Sequence, residues 1–176
     1  MNSKDLIHFA QEVNKSKRIK RTGWLLEGIA APESVAEHSF RLVVLAMVLG
    51  EYLEVDTEKL VKMAIIHDLG ETITGDLVVE RGKTINEEYK KRKEELEEDG
   101  IETLFKPFSK KYKAIFHEMV ERKTKEAQIF WQLDKLEMAL QAKEYEEKQK
   151  KQLPEFFENA SLYIIHPLLK KILNEI

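Results

Sequence analysis

The chain contains no cysteine. That excludes disulfides, zinc–thiolate sites and thiol nucleophiles together, and it fits an intracellular, cytoplasmic setting. Glycine and proline are scarce, at 7 and 4 in 176 residues, so long stretches run without a helix breaker. No long hydrophobic run exists: the longest, residues 42–49, is too short to cross a bilayer. The first residues, Met1-Asn2-Ser3-Lys4-Asp5-Leu6-Ile7-His8, lack the apolar core expected of a signal peptide. A strong excess of one charge sign is missing too. The net charge of −3 argues against a broad electrostatic surface for a nucleic-acid polymer. What remains is a chain 43% hydrophobic and 35% charged, long enough to fold and to bury the core of one domain.

Apolar residues recur with helical spacing almost throughout, and strand-like alternation is nearly absent. The pattern predicts an all-α fold with helices over residues 3–14, 35–53, 57–69, 84–99, 109–123, 125–150 and 154–174. Residues 18–33, with Gly23, Gly28 and Pro32, and residues 70–83, with Gly75 and Gly82, read as irregular. Both stretches flank polar residues that stand in apolar surroundings, and loops held between packed helices are common places for binding groups. The charged segments 86–98 and 143–151 read as solvated helix faces.

Those polar residues carry the chemistry. Ser34-x-x-Glu37 is a capping box, which starts a helix at Val35 and puts His38 on the face of Leu42, Leu45, Ala46 and Leu49. His67 and Asp68 end the apolar run Met63-Ala64-Ile65-Ile66. His67 shares a face with Leu60, Met63 and Ala64, and Asp68 with Val61, Ala64 and Ile65. Asp134 lies among Phe130, Trp131, Leu133, Leu136 and Met138, where a poor helix former has no cap to make. Each has an ordinary alternative: a core histidine bonded to a carbonyl, a buried His–Asp pair, or an aspartate given a surface setting by Lys135 and Glu137. Taken together, two neutral imidazoles and two carboxylates suit one first-row divalent ion such as Mn, Co, Fe, Ni or Zn. The helix dipole at the start of the His38 helix favours the neutral ring that a metal needs. Glu71 follows His67 by one helical turn, so it can reach the same ion's surroundings. His8, His117 and His166 have no acidic partner in register or face away from the apolar stripe, which leaves a mononuclear site. Asp76 after Gly75 reads equally as a turn aspartate, Trp24 as a core residue, and Arg21 as part of a solvated basic cluster over residues 15–21.

The blocks Arg21-Thr22-Gly23-Trp24, Pro32-Glu33-Ser34-Val35-Ala36-Glu37-His38, His67-Asp68-Leu69-Gly70-Glu71, Thr74-Gly75-Asp76 and Asp134-Lys135-Leu136-Glu137 resemble, in order, those of the HD-domain metal-dependent phosphohydrolases, in particular the 5'-deoxynucleotidase branch. The resemblance spans roughly residues 5–150. It implies an all-α helical bundle around a central metal, often homodimeric, that hydrolyses deoxyribonucleoside 5'-monophosphates to deoxynucleoside and phosphate with cobalt or manganese. By motif position it makes His38, His67, Asp68 and Asp134 the ligands and Glu71 the catalytic carboxylate. It assigns Asp76 to the sugar 3'-hydroxyl and Trp24 to the deoxyribose, where the ring would crowd out a 2'-hydroxyl. Two features depart from the pattern. Gly23 rather than arginine precedes Trp24, which leaves phosphate binding to Arg21, Lys20 or Arg18. No proline follows Gly75-Asp76, where the chain reads Leu77-Val78-Val79-Glu80-Arg81-Gly82. Two other readings stand beside the nucleotidase: a phosphohydrolase of the same family acting on another nucleotide, and a non-catalytic metal-bound nucleotide sensor.

Overall fold

The computed structural model describes residues 2–77 and 87–176, with residues 87–90 described in their backbone only. In chain order the helices are α1 Ser3–Val13, extended by a 3-10 turn Asn14–Lys17, α2 Thr22–Leu26, α3 Val35–Gly50, α4 Thr57–Ile66 and α5 Glu71–Thr74. There follow α6 Glu87–Phe105, α7 Lys111–Glu121, α8 Lys125–Gln149, α9 Pro154–Tyr163 and α10 Pro167–Leu173. Among the described residues the β-type pairing is one isolated antiparallel bridge, Lys20 with Ser34. The all-α expectation holds. The expected helix start at 84–86, the sequence 78–82 that departs from the family pattern, and Gly82 lie outside the described residues.

The helix α8 is the spine. α3, α4, α7 and α9 all pack on it, and α3 also packs on α4. Leu42 and Ala46 of α3, Leu60, Met63 and Ala64 of α4, Phe116 and Met119 of α7, and Phe130, Leu133 and Leu136 of α8 form the main core. These side chains are withdrawn from water on one stripe of each helix, the dominant favourable contribution to folding. A smaller cluster joins Trp24, Ile29, Ala142, Tyr145, Leu153 and Phe156. Tyr145 falls within residues 143–151, so that segment is not solvated all round.

Local chemistry sets the element ends that matter for the site. The capping box at Ser34 forms as expected: Ser34 Oγ accepts from Glu37 N–H at 3.3 Å, and Glu37 Oε2 accepts from Ser34 N–H at 2.6 Å. α4 stops at Ile66 rather than running to 69. The chain winds on more tightly, with Leu69 N–H donating to Ile66 O, Glu71 N–H to Asp68 O and Thr72 N–H to Leu69 O. Such i to i+3 bonding shortens the turn without ending it. α6 continues past Gly100, the expected stop, because this glycine is a contact residue: a Cβ on it would lie 2.8 Å from Gly70 O, and one on Gly70 would lie 2.7 Å from Glu97 O. The bare pair lets α6 lie against the turn that carries His67, Asp68 and Glu71. The expected helix 154–174 is two helices. Pro167 starts α10 and disfavours helix in the preceding residue, while Gln132 Oε1 accepts from both Ile165 N–H at 2.8 Å and His166 N–H at 2.7 Å.

Candidate metal centre

Three helices deliver the ligand candidates. His38 comes from the first turn of α3, His67 caps the C-terminus of α4, and Asp134 sits in the middle of α8. All three side chains are buried, and one ligand atom of each lies within 4.8 Å of the others. His38 Nε2 is 3.2 Å from His67 Nε2 and 3.3 Å from Asp134 Oδ1. Asp68 stands to one side, with its Oδ2 2.9 Å from His67 Nε2, 3.9 Å from His38 Nε2 and 2.5 Å from Arg21 Nη1.

The tautomers follow from the outer bonds. His67 Nδ1 meets Ala64 O at 2.9 Å, and a carbonyl only accepts, so Nδ1 carries the hydrogen. His38 Nδ1 meets Glu137 Oε2 at 2.5 Å. In neutral rings both Nε2 atoms are then left as acceptors, facing one another and a carboxylate oxygen. Lone pairs so arranged repel unless a proton or a cation lies among them. Ligand atoms bound at about 2.0–2.2 Å to one ion are themselves about 3–3.5 Å apart, close to the two distances that His38 Nε2 makes. The donor set therefore fits a divalent cation. Without one, His38 is pushed up to about 9: burial and Arg21 work against the charged ring, and Glu137 and Asp134 outweigh them.

The carboxylates divide into two kinds. Burial raises Asp134, but Lys135 and His38 hold it well below the usual range. Burial likewise raises Asp68, but His67 and Arg21 hold it low. Glu71 goes the other way. It is 2% exposed, its Oε2 has no hydrogen-bond partner among the described residues, and burial together with Asp68 and Asp76 pushes it well above the usual carboxylate range. The orphaned oxygen is what a site awaiting a substrate or water leaves behind.

Arg21 reaches the centre through a small backbone frame. Its N–H donates to Glu33 O at 3.1 Å, beside the Lys20–Ser34 bridge, and Arg21 then caps α2. Its cationic form is reinforced: burial opposes it, and Asp68, Glu71 and Asp76 outweigh burial. The described bonds of Asp76 run to α2. Gly75, at φ +79°, adopts a conformation that L side chains rarely adopt, and so turns Asp76 onto α2. There its Oδ2 accepts from Thr22 N–H at 2.5 Å and its O accepts from Thr22 Oγ1 at 3.0 Å. Trp24 lies in the smaller core cluster, 2% exposed, stacked on Phe156 at 4.1 Å, with Nε1 donating to Glu33 Oε1 at 2.8 Å. It offers no open ring face to a sugar here. Lys20 and Arg18, the alternative phosphate residues, lie outside the buried set. His8 is exposed, His117 pairs with Glu98 at 3.2 Å, and neither they nor His166 joins the cluster.

Four residues escape the sequence reading. Glu137 is fully buried rather than a surface neighbour of Asp134, and Arg41 clasps it. Their offsets, three residues after Asp134 and three after His38, were the available signal, since such residues share a helix face. Lys93 and Glu97 of α6, within the stretch expected to be solvated, pair at 3.3 Å and act electrostatically on Asp68. The Gly70–Gly100 contact lets α6 lie close enough to bring them there, and a single helix pattern carries no trace of it. A second possible metal group, Glu33, His38 and Glu137, is closed by its own bonds: Nδ1 and Glu137 are at hydrogen-bond distance, and Arg41 takes the other Glu137 oxygen.

A buried centre of two histidines and acidic residues, framed by packed helices, defines a helical metal-site protein. The sequence profile of the HD domain matches residues 13–176. The chain is 34% identical to 5'-deoxynucleotidase HDDC2 of Dictyostelium discoideum, covering 94% of this chain and 93% of that one. It is 31% identical to 5'-deoxynucleotidase HDDC2 of Homo sapiens, covering 99% and 85%. Among solved structures it resembles a conserved hypothetical protein from Pyrococcus furiosus, with TM-score 0.80, 37% identity and coverage of 96% and 97%. It also resembles a predicted metal-dependent phosphohydrolase from Magnetospirillum magnetotacticum, with TM-score 0.74, 25% identity and coverage of 97% and 88%. The chain belongs to the HD-domain family.

Proposed function

We propose that this protein is a metal-dependent phosphomonoesterase that hydrolyses deoxyribonucleoside 5'-monophosphates to deoxynucleoside and phosphate. The observation that carries the reading is the approach of His38 Nε2 to His67 Nε2 at 3.2 Å and to Asp134 Oδ1 at 3.3 Å, together with a buried Glu71 whose Oε2 has no hydrogen-bond partner among the described residues. The names of the curated relatives, 5'-deoxynucleotidases from amoeba to human, support the substrate class. In this reading His38, His67, Asp68 and Asp134 hold one first-row divalent ion, cobalt or manganese among them. When bound, such an ion supplies positive charge for the phosphoryl oxygens and acidifies water.

The chain's own residues do the rest. Arg21 gives one N–H to Asp68, and its planar fork has further donors for phosphoryl oxygens. Glu71, whose burial favours the protonated carboxyl, delivers a proton to the 5'-oxygen as the sugar leaves. Asp76 accepts from the 3'-hydroxyl. The Trp24 ring is 2% exposed here, so deoxy preference is judged by the ribo/deoxy comparison and not by its place in the fold. A second copy of the chain covers the outer stripe of α3 and the turn after it, where Phe40 and Tyr52 are 71% and 70% exposed with Val44, Met47 and Val48 between them. Met47→Glu is expected to convert a dimer to a monomer in light scattering. A non-catalytic sensor would have no use for the buried, unpartnered Oε2 of Glu71.

The test is phosphate release from dAMP and AMP by metal-stripped protein reloaded with single metals, with Glu71→Ala as control. Release from dAMP, little from AMP and none from the variant is expected. No release with any metal would sink the proposal, and equal release from both nucleotides would remove the role given to Trp24.

A further inference from the structure

The bonds behind His38 are more elaborate than those of an ordinary buried histidine. Glu137 is 0% exposed and gives one oxygen to each of two partners: Oε2 lies 2.5 Å from His38 Nδ1, and Oε1 accepts from Arg41 Nε at 2.7 Å. Arg41 is itself fastened along α8. Its Nη2 donates to Gln141 Oε1 at 2.8 Å and to Glu137 O at 3.3 Å, and its Nη1 donates to Glu144 Oε1 at 2.7 Å. His38 and Arg41 are one turn apart on α3, and Glu137, Gln141 and Glu144 follow one stripe of α8. The chain thus places a buried charge where an apolar residue would pack, and anchors that charge at several points.

We propose that Glu137, locked by Arg41, is a positioning residue for the metal centre. It fixes the hydrogen of His38 on Nδ1 and so keeps Nε2 aimed at the ion as a bare donor. This rests on the reading of His38 as a ligand. Glu137 is not itself a ligand, since both its oxygens are committed. Carboxylates in this position orient a ligating histidine and raise its basicity. An amide cannot replace it. A glutamine side chain here would have one oxygen for two donors, so its NH2 group would face either Arg41 or His38 Nδ1.

The test uses the full chain stripped of metal and titrated with zinc against a competing chelator, for wild type, Glu137→Gln and Arg41→Met. Long-range proton–nitrogen NMR on the zinc-loaded proteins reads the His38 tautomer. Wild type is expected to bind one zinc with hydrogen on Nδ1, and each folded variant to bind about 10–100-fold more weakly. Circular dichroism separates this from loss of fold. If Glu137→Gln does not fold, Arg41→Met, whose side chain is partly exposed, carries the comparison. Wild-type binding with equal affinity and the same tautomer in the folded variants would overturn the inference while leaving the metal site intact. No zinc binding by wild type would overturn both.

Discussion

Glu71→Gln should stabilise the metal-free protein while removing its activity, and the stabilisation should grow with pH. The wild-type carboxyl is 2% exposed, has no partner for Oε2, and is pushed well above its ordinary range by burial and by Asp68 and Asp76, with Arg21 and Lys93 opposing. Below its unfolded value, about 4.3, the group is protonated in both states and costs nothing. Above that value the unfolded chain gives up its proton while the folded chain keeps it. Wild-type stability therefore falls as pH rises, by up to about 1.4 kcal/mol per pH unit, until the raised folded value is passed. Glutamine lacks this dependence, and the remaining titrating groups are common to both chains. Urea unfolding in chelator at several pH values from about 4 to 7 gives the difference directly. A gap that widens from near zero as pH rises is expected, with phosphate release reduced by about 10²–10⁴-fold when metal is restored. A pH-independent gap, or a variant less stable than wild type throughout, would refute the reasoning about this carboxyl.

Three further outcomes follow from packing and backbone geometry. Gly70→Ala puts a methyl group 2.7 Å from Glu97 O, so it should cost about 1–3 kcal/mol in denaturant unfolding and disturb the turn between His67 and Glu71. Gln132→Ala removes the acceptor shared by the Ile165 and His166 N–H groups and should cost about 1–3 kcal/mol, with hydrogen exchange quickened at those two amides. Lys150 ends α8 in the left-handed region at φ +53°. Lys150→Gly should therefore raise stability by about 1 kcal/mol in the same assay.

What the sequence makes legible is local or periodic. The capping box at Ser34, the inward phase of His38 and the burial of Asp134 each depend on neighbours within a turn or two of one helix, so a linear pattern contains them. The break before Pro167 was also written in the chain, although the apolar pattern across 154–174 masked it. The acceptor that makes the break tolerable, Gln132, lies on another helix. Across-helix matters are where the reading stops. Lys93 and Glu97 look like members of a solvated charged face until Gly70 and Gly100 bring α6 against the site. Trp24 sits beside Gly23 in a short helix, and its burial against Phe156 and Tyr145 follows from how the C-terminal helices return. The pairing of Glu137 with Arg41 needs two helix faces read against each other, which periodicity supports only after α3 and α8 are known to pack.

The most direct measurement is phosphate release from dAMP against equivalents of cobalt or manganese added to metal-stripped protein held well above the metal's dissociation constant. The account predicts no release without metal and a linear rise that breaks at one equivalent per chain. Release without metal, a break at two equivalents, or no release at any loading would contradict the single centre built from His38, His67, Asp68 and Asp134.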